Sequence, residues 1–153
     1  MDLIFWRHAE AIDLDLVGDD MERSLTARGE KQANRMAHWL DRQLPDGAKV
    51  IASPAVRAQQ TAQALGRKFK THAALAPLGS CDQLLELVQW PQGKGCVLVV
   101  GHQPTLGQAI ARLIGLQESE CTVKKGAVWW LRHKERDAEG STVVVTVQTP
   151  DLL

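Results

Sequence analysis

The chain has 153 residues, 44% of them apolar, with 18 basic and 18 acidic side chains. That length suits a single domain, residues 1–153, with a substantial buried core. Zero net charge argues against nonspecific nucleic-acid binding, which needs a basic excess, and no apolar run nears the ~18 residues of a membrane span. The three cysteines, Cys81, Cys96 and Cys121, lack metal-type spacing, and an odd, sparse set fits a reducing compartment such as the cytoplasm. Cys96 lies in an apolar run and reads as a buried thiol. The N-terminus lacks the pattern of a secretory signal.

In chain order, residues 2–7 read as a buried strand that ends in Arg7-His8. Residues 9–25 are acidic and irregular, a loop beside that pair. Thr26 is a good N-cap, and Ala33, Met36, Ala37, Leu40 and Leu44 recur at helical spacing until Pro45-Asp46-Gly47 stops the helix. Residues 49–52 form a second strand. Ser53 is expected to cap the next helix, with Pro54 at its first position, and Gly66 ends that helix. Residues 73–76 read as a weak third strand, and about 82–90 as a short helix closed by Pro91-Gln92-Gly93. Cys96 to Val100 is the clearest strand, apolar on both faces, as in the middle of a covered parallel sheet. A helix follows His102-Gln103-Pro104, with Leu106, Ala109, Ile110, Leu113 and Ile114 on one side and Gly115 at its end. Residues 126–132 and 142–148 read as an antiparallel hairpin turned by Arg136 to Ser141. The tryptophans at positions 6, 39, 129 and 130 suit core or sheet packing, and Trp90 a helix end.

Ligands of open α/β sheets bind beyond the carboxyl ends of the strands. Three such ends deliver Arg7 and His8, then Ser53 with Arg57 soon after, and His102. Two histidines and two arginines form a chemistry set for a phosphoryl group. The loop aspartates lack the glycine and closing glutamate of an EF-hand, so no metal site is expected.

Four segments in this order resemble the histidine phosphatase (phosphoglycerate mutase-like) superfamily. They are Arg7-His8-Ala9; Leu25-Thr26-Ala27-Arg28-Gly29 with Gln32-Ala33; Ser53-Pro54-Ala55-Val56-Arg57-Ala58-Gln59-Gln60-Thr61-Ala62; and Gly101-His102-Gln103-Pro104. Any one alone is a weak signal; together they span most of the chain. Ala9 stands where many members carry glycine, which alters how closely the backbone approaches a phosphate. The short chain and the Arg-His-Ala variant look most like the SixA-type phosphohistidine phosphatases. The resemblance implies a three-layer α/β/α sandwich with a mostly parallel sheet and an antiparallel C-terminal hairpin. It also implies a metal-independent phosphatase with no cofactor. Larger members carry an insertion after the third strand that supplies an acid and part of a lid; here that connection is short.

The resemblance makes His8 the nucleophile, whose neutral imidazole attacks phosphorus and carries the phosphoryl group until water releases it. Arg7 should disfavour the imidazolium form. Arg7 and Arg57 should fork onto the phosphoryl oxygens. His102, at a helix start that favours anions, and Ser53 complete the phosphate site. A general acid is not fixed by the pattern; Asp82 and Glu86 are the candidates, with Glu10 and the acidic loop nearby. A phosphohistidine leaves as imidazole and needs less help from an acid, and a lidless pocket suits a phosphorylated protein side chain. The partner is therefore expected to be a phosphorylated protein or a small phosphorylated substrate, with no nucleic acid or membrane; oligomeric state is open. Alternatives are a small phosphomonoester phosphatase of the same superfamily, a non-catalytic phosphoprotein-binding module, or a metallohydrolase using His8, His102 and loop aspartates. A mutase would need a lid to shield its phosphoenzyme from water.

Overall fold

Continuous apolar runs put two strands at the middle of the sheet. β1 (Asp2–Arg7) and β4 (Cys96–Gly101) pair in parallel, from Asp2 opposite Cys96 to Arg7 opposite Gly101. Leu3, Ile4, Phe5 and Trp6 on one, and Leu98, Val99 and Val100 on the other, are wholly buried, as strands covered on both faces must be. The structure, a computed structural model, describes residues 1–136 and 139–153.

β2 (Lys49–Ala52) lies parallel beyond β4, and the two-residue β3 (Lys70–Thr71) beyond β2. On the far side, β5 (Val128–Arg136) runs antiparallel to β1, and β6 (Glu139–Gln148) antiparallel to β5. The order is β3-β2-β4-β1-β5-β6. The expected hairpin is present, but longer than expected: pairing continues to Arg136 opposite Glu139, inside the region predicted as turn. Residues 137 and 138 of that predicted turn lie outside the described residues. β6 is an edge strand, and its Val143, Val144, Val145 and Val147 are between 40% and 52% exposed.

The acidic stretch predicted as loop holds two short turns, α1 (Leu14–Val17) and a 3-10 turn at Asp20–Glu22. α2 (Ala27–Gln43) and α3 (Val56–Ala64) cover one sheet face, packing Met36, Leu40 and Ala62 against Ile4, Trp6 and Leu98. α4 (Cys81–Leu87) and α5 (Thr105–Leu113) cover the other, packing Leu84 and Ile110 against Leu3, Phe5 and Val99. The result is the expected three-layer α/β/α sandwich around a mixed sheet.

Side-chain caps mark the starts of α2 and α4. Thr26 Oγ1 accepts from Gly29 N–H at 2.9 Å and Ser80 Oγ from Gln83 N–H at 3.1 Å. Gly29 is also dictated by space: a Cβ there would lie 1.9 Å from the Glu10 carbonyl oxygen. Two expectations fail. Ser53 does not cap α3, which starts at Val56; its hydroxyl accepts from Ala55 N–H at 3.1 Å and lies 2.7 Å from His102 Nε2 instead. Residues 73–76 are not a strand. The third strand is Lys70–Thr71, and alanine-rich Ala73–Leu75 winds into a 3-10 turn that buries Leu75. Cys96 is buried as expected, and burial pushes its thiol up to about 11. No helix among the described residues is long and apolar enough to cross a membrane.

Candidate active site

The parallel register sets β1, β2 and β4 side by side, so their carboxyl ends deliver side chains to one place. His8 N–H donates to Gly101 O at 3.1 Å and Ser53 N–H to Val100 O at 3.0 Å, which ties all three ends together. The rings of His8 and His102 then stand 5.1 Å apart, tilted by 52°. His8, His102, Ser53 and Arg57 are all buried. These four and Arg7, singled out from the sequence, thus come together.

His8 has one possible tautomer in this setting. Its Nδ1 lies 2.8 Å from the Ala9 carbonyl, which can only accept, so Nδ1 carries the proton and Nε2 a free lone pair. Burial pushes its pKa down to about 3, with His102, Arg57 and Arg7 adding to the effect. Burial is the larger cause, and the Arg7 charge, expected from the sequence to dominate, is the smallest of those acting on His8. His102 is also pushed down to about 3, by burial and then by Arg57. Both imidazoles are neutral at neutral pH.

Ser53 orients His102. The serine hydroxyl accepts from Ala55 N–H and lies 2.7 Å from His102 Nε2. Fully buried, its own proton needs an acceptor, and Nε2 is the one in reach. That leaves Nδ1–H of His102 as a buried donor. Among the described residues, the buried side-chain atoms without a hydrogen-bond partner are Arg7 Nε, Arg57 Nε and His102 Nδ1. Unpaired buried donors are costly, and all three belong to residues close enough to lower the His8 pKa, so an anion bound beside His8 would lie near them.

The arginines are anchored on their outer nitrogens. Arg7 donates from one terminal nitrogen to Val123 O at 2.8 Å. Burial and the neighbouring Arg57 charge lower its pKa. Arg57 donates to Asp20 twice, to the backbone carbonyl at 2.6 Å and to the carboxylate at 3.1 Å. Asp20 also receives Arg23, which is fixed in turn by the Ile12 carbonyl. Burial alone would raise the Asp20 pKa, but hydrogen bonds from Arg23 and Arg57 outweigh it and hold the carboxyl below its usual range. Asp20 and Arg23 were not singled out in the sequence. Their one signal was membership of the acidic loop next to Arg7-His8.

The rest of each motif is scaffold. Thr61 accepts from Ala9 N–H at 3.1 Å and donates to Arg57 O at 2.7 Å, locking the neighbour of His8 to the helix that carries Arg57. Gln32 accepts from Glu10 N–H at 3.0 Å and Gln60 from Leu25 N–H at 2.7 Å. Glu10 accepts from the Thr26 hydroxyl at 2.9 Å, at the start of α2. The candidate acids lie elsewhere: Asp82 pairs with Arg112 of α5, and Glu86 stands exposed on α4. Neither bonds to His8, His102, Arg7 or Arg57. No group of three or more His, Cys, Asp or Glu side chains among the described residues is placed to hold a metal ion.

Known proteins are similar to this chain in sequence and fold. Residues 3–87 match the model of the histidine phosphatase superfamily (branch 1). Phosphohistidine phosphatase SixA of Escherichia coli is 31% identical over 121 residues, 74% of each chain. The SixA homolog of Haemophilus influenzae is 28% identical over 130 residues, 75% of this chain and 78% of the relative. A solved structure of the protein histidine phosphatase SixA complexed with tungstate matches with a TM-score of 0.81 and 25% identity, over 99% of both chains. With more than half its length, residues 3–87, matched by one family model, this chain belongs to the histidine phosphatase superfamily.

Proposed function

We propose that this histidine phosphatase dephosphorylates phosphohistidine on a partner protein, through a phosphohistidine intermediate on His8 and without a metal. The observation that carries this reading is the free Nε2 of His8 set among three buried donors that lack partners. In the first step the Nε2 lone pair attacks phosphorus, the bond from phosphorus to the substrate imidazole breaks, and that imidazole takes a proton from solvent. In the second step water attacks phosphorus, the bond to His8 breaks, and inorganic phosphate and a proton leave. Arg7, Arg57 and His102 Nδ1–H hold the oxygens where charge shifts in both steps.

Among the described residues no protonated acid bonds to His8, His102, Arg7 or Arg57, which supports phosphohistidine over an alkyl phosphate. Asp20, the carboxylate bonded to Arg57, is held ionised and has no proton to give at neutral pH. An alkoxide would need one, whereas imidazole leaves with less help. The likeness to SixA proteins agrees. A protein-sized substrate is supported by Leu14 and Leu16, which stand exposed on the turn that precedes Asp20. Residues 1–153 form one catalytic domain in this reading, and three unpaired thiols suit the cytoplasm.

The test is loss of acid-labile ³²P from a phosphohistidine-carrying protein, with chelator present. Wild type should strip the label, and His8→Ala should be slower by about 10⁴-fold or more, as when a covalent nucleophile is removed. Retention of label by wild type, with para-nitrophenyl phosphate still cleaved through His8, would assign the site to small phosphomonoesters.

A further inference from the structure

A cavity of about 830 Å³ opens along the amino-terminal halves of β2 and β4, away from the strand ends that carry His8 and His102. It exists because α4 is short. The helix stops at Leu87, and the sheet face over β2 and β3 is left uncovered. Ile51, Leu87 and Val97 give the cavity an apolar floor. Lys49, Lys68, Lys70 and Lys94 line it as well, all on exposed residues, and none forms an ion pair among the described residues. Arg67 lines it too, but its guanidinium is taken up by Asp41, Leu44 and Pro45. Among the described residues no aspartate or glutamate lines the cavity. In a chain of zero net charge, four unpaired lysines around one apolar hollow are a marked local imbalance.

We infer that this groove is a second ligand site, and that it takes a nucleoside polyphosphate. The volume falls in the roughly 300–1,000 Å³ range of small-molecule sites, which pair an apolar lining with a few polar groups. One carboxylate would neutralise one ammonium of the four; a polyphosphate carries enough charge to meet them all. The apolar floor of Ile51, Leu87 and Val97 offers a contact surface for a flat base. Gln89 lines the groove with its backbone in the left-handed region, φ 58, a conformation uncommon outside glycine, and its amide can both donate to and accept from a base edge. An added peptide strand fits less well, because β3 offers an edge only two residues long.

Calorimetric titration of the full chain with the β,γ-imido analogue of ATP, with tungstate saturating the His8 site, tests this. The expected result is saturable binding that persists in tungstate and weakens about tenfold or more in Lys68→Glu/Lys94→Glu, since charge reversal turns attraction into repulsion. Backbone amide signals of Ile51, Phe69 and Gln89 should shift on titration, and phosphatase turnover of the double variant should equal wild type. Displacement by tungstate, equal affinity of the double variant, or equally tight binding of inorganic tripolyphosphate would each overturn the assignment.

Discussion

Arg57 is held by a carboxylate that sequence patterns do not mark. Asp20 engages two guanidinium nitrogens and leaves Nε free, so Asp20→Asn should loosen the arginine without removing it. Misplacement of a positioned group by about an ångström costs up to about 100-fold; a fall in kcat/KM of about 10- to 100-fold is expected, with tungstate affinity falling alongside. The same variant has a pH signature. The folded pKa of Asp20 lies below its ordinary value of 3.8, so the pair stabilises the fold above 3.8 and loses that contribution as pH falls through the lower folded value. The stability gap between wild type and Asp20→Asn, from urea unfolding, should be present at neutral pH and close in acid. His8 and His102 act in the same sense over another window. Both have folded values near 3 against an ordinary 6.5, so their neutral burial stabilises the fold above 6.5 and this is lost progressively toward pH 3. Wild type should lose stability between pH 6.5 and 4, and His8→Asn should lose less. Thr61→Val would leave the buried Ala9 N–H without an acceptor, at a cost of about 1–3 kcal/mol by the same measurement.

At the scale of elements, α2 is seated by contact with the segment that follows His8. Gly29 in its first turn lies under the Glu10 carbonyl, and Gln32 one turn on receives the Glu10 N–H. Gly29→Ala must push the helix away from that segment, an overpacking cost of about 1–3 kcal/mol readable as a lower urea midpoint. Strands β1 and β2 were legible to the residue, because apolar runs stop abruptly at Arg7-His8 and Ser53-Pro54. β3 was not, because two exposed residues carry no periodicity. Ser53 reads locally as a cap; what makes it a partner of His102 is the pairing of β2 with β4, separated by 49 positions in the chain. His8, Arg7, Arg57 and His102 were legible because each lies within a segment of fixed pattern. Asp20 was not, since one carboxylate among five in residues 13–22 has no distinguishing neighbour. The lysine-lined hollow is invisible in sequence for another reason: it is created by the length of α4, not by the residues that line it.

At the scale of the whole molecule, the two borders of the sheet differ sharply. One is closed off after two residues, at Lys70–Thr71. The other runs for ten, Glu139–Gln148, and from Ser141 to Pro150 it contains no charged side chain. Natural sheets usually guard such a border with lysine, proline or a covering helix. Here the half-exposed valines meet a molecule with a sequence pI near 7.0, so long-range repulsion between copies is weakest at neutral pH. The consequence is colloidal. Concentrated solutions at neutral pH should scatter light increasingly with time and clear as pH moves well away from 7, and Val145→Lys should suppress the scattering while phosphatase turnover is unchanged. The strand that completes the fold would thus also set how concentrated the protein can be kept.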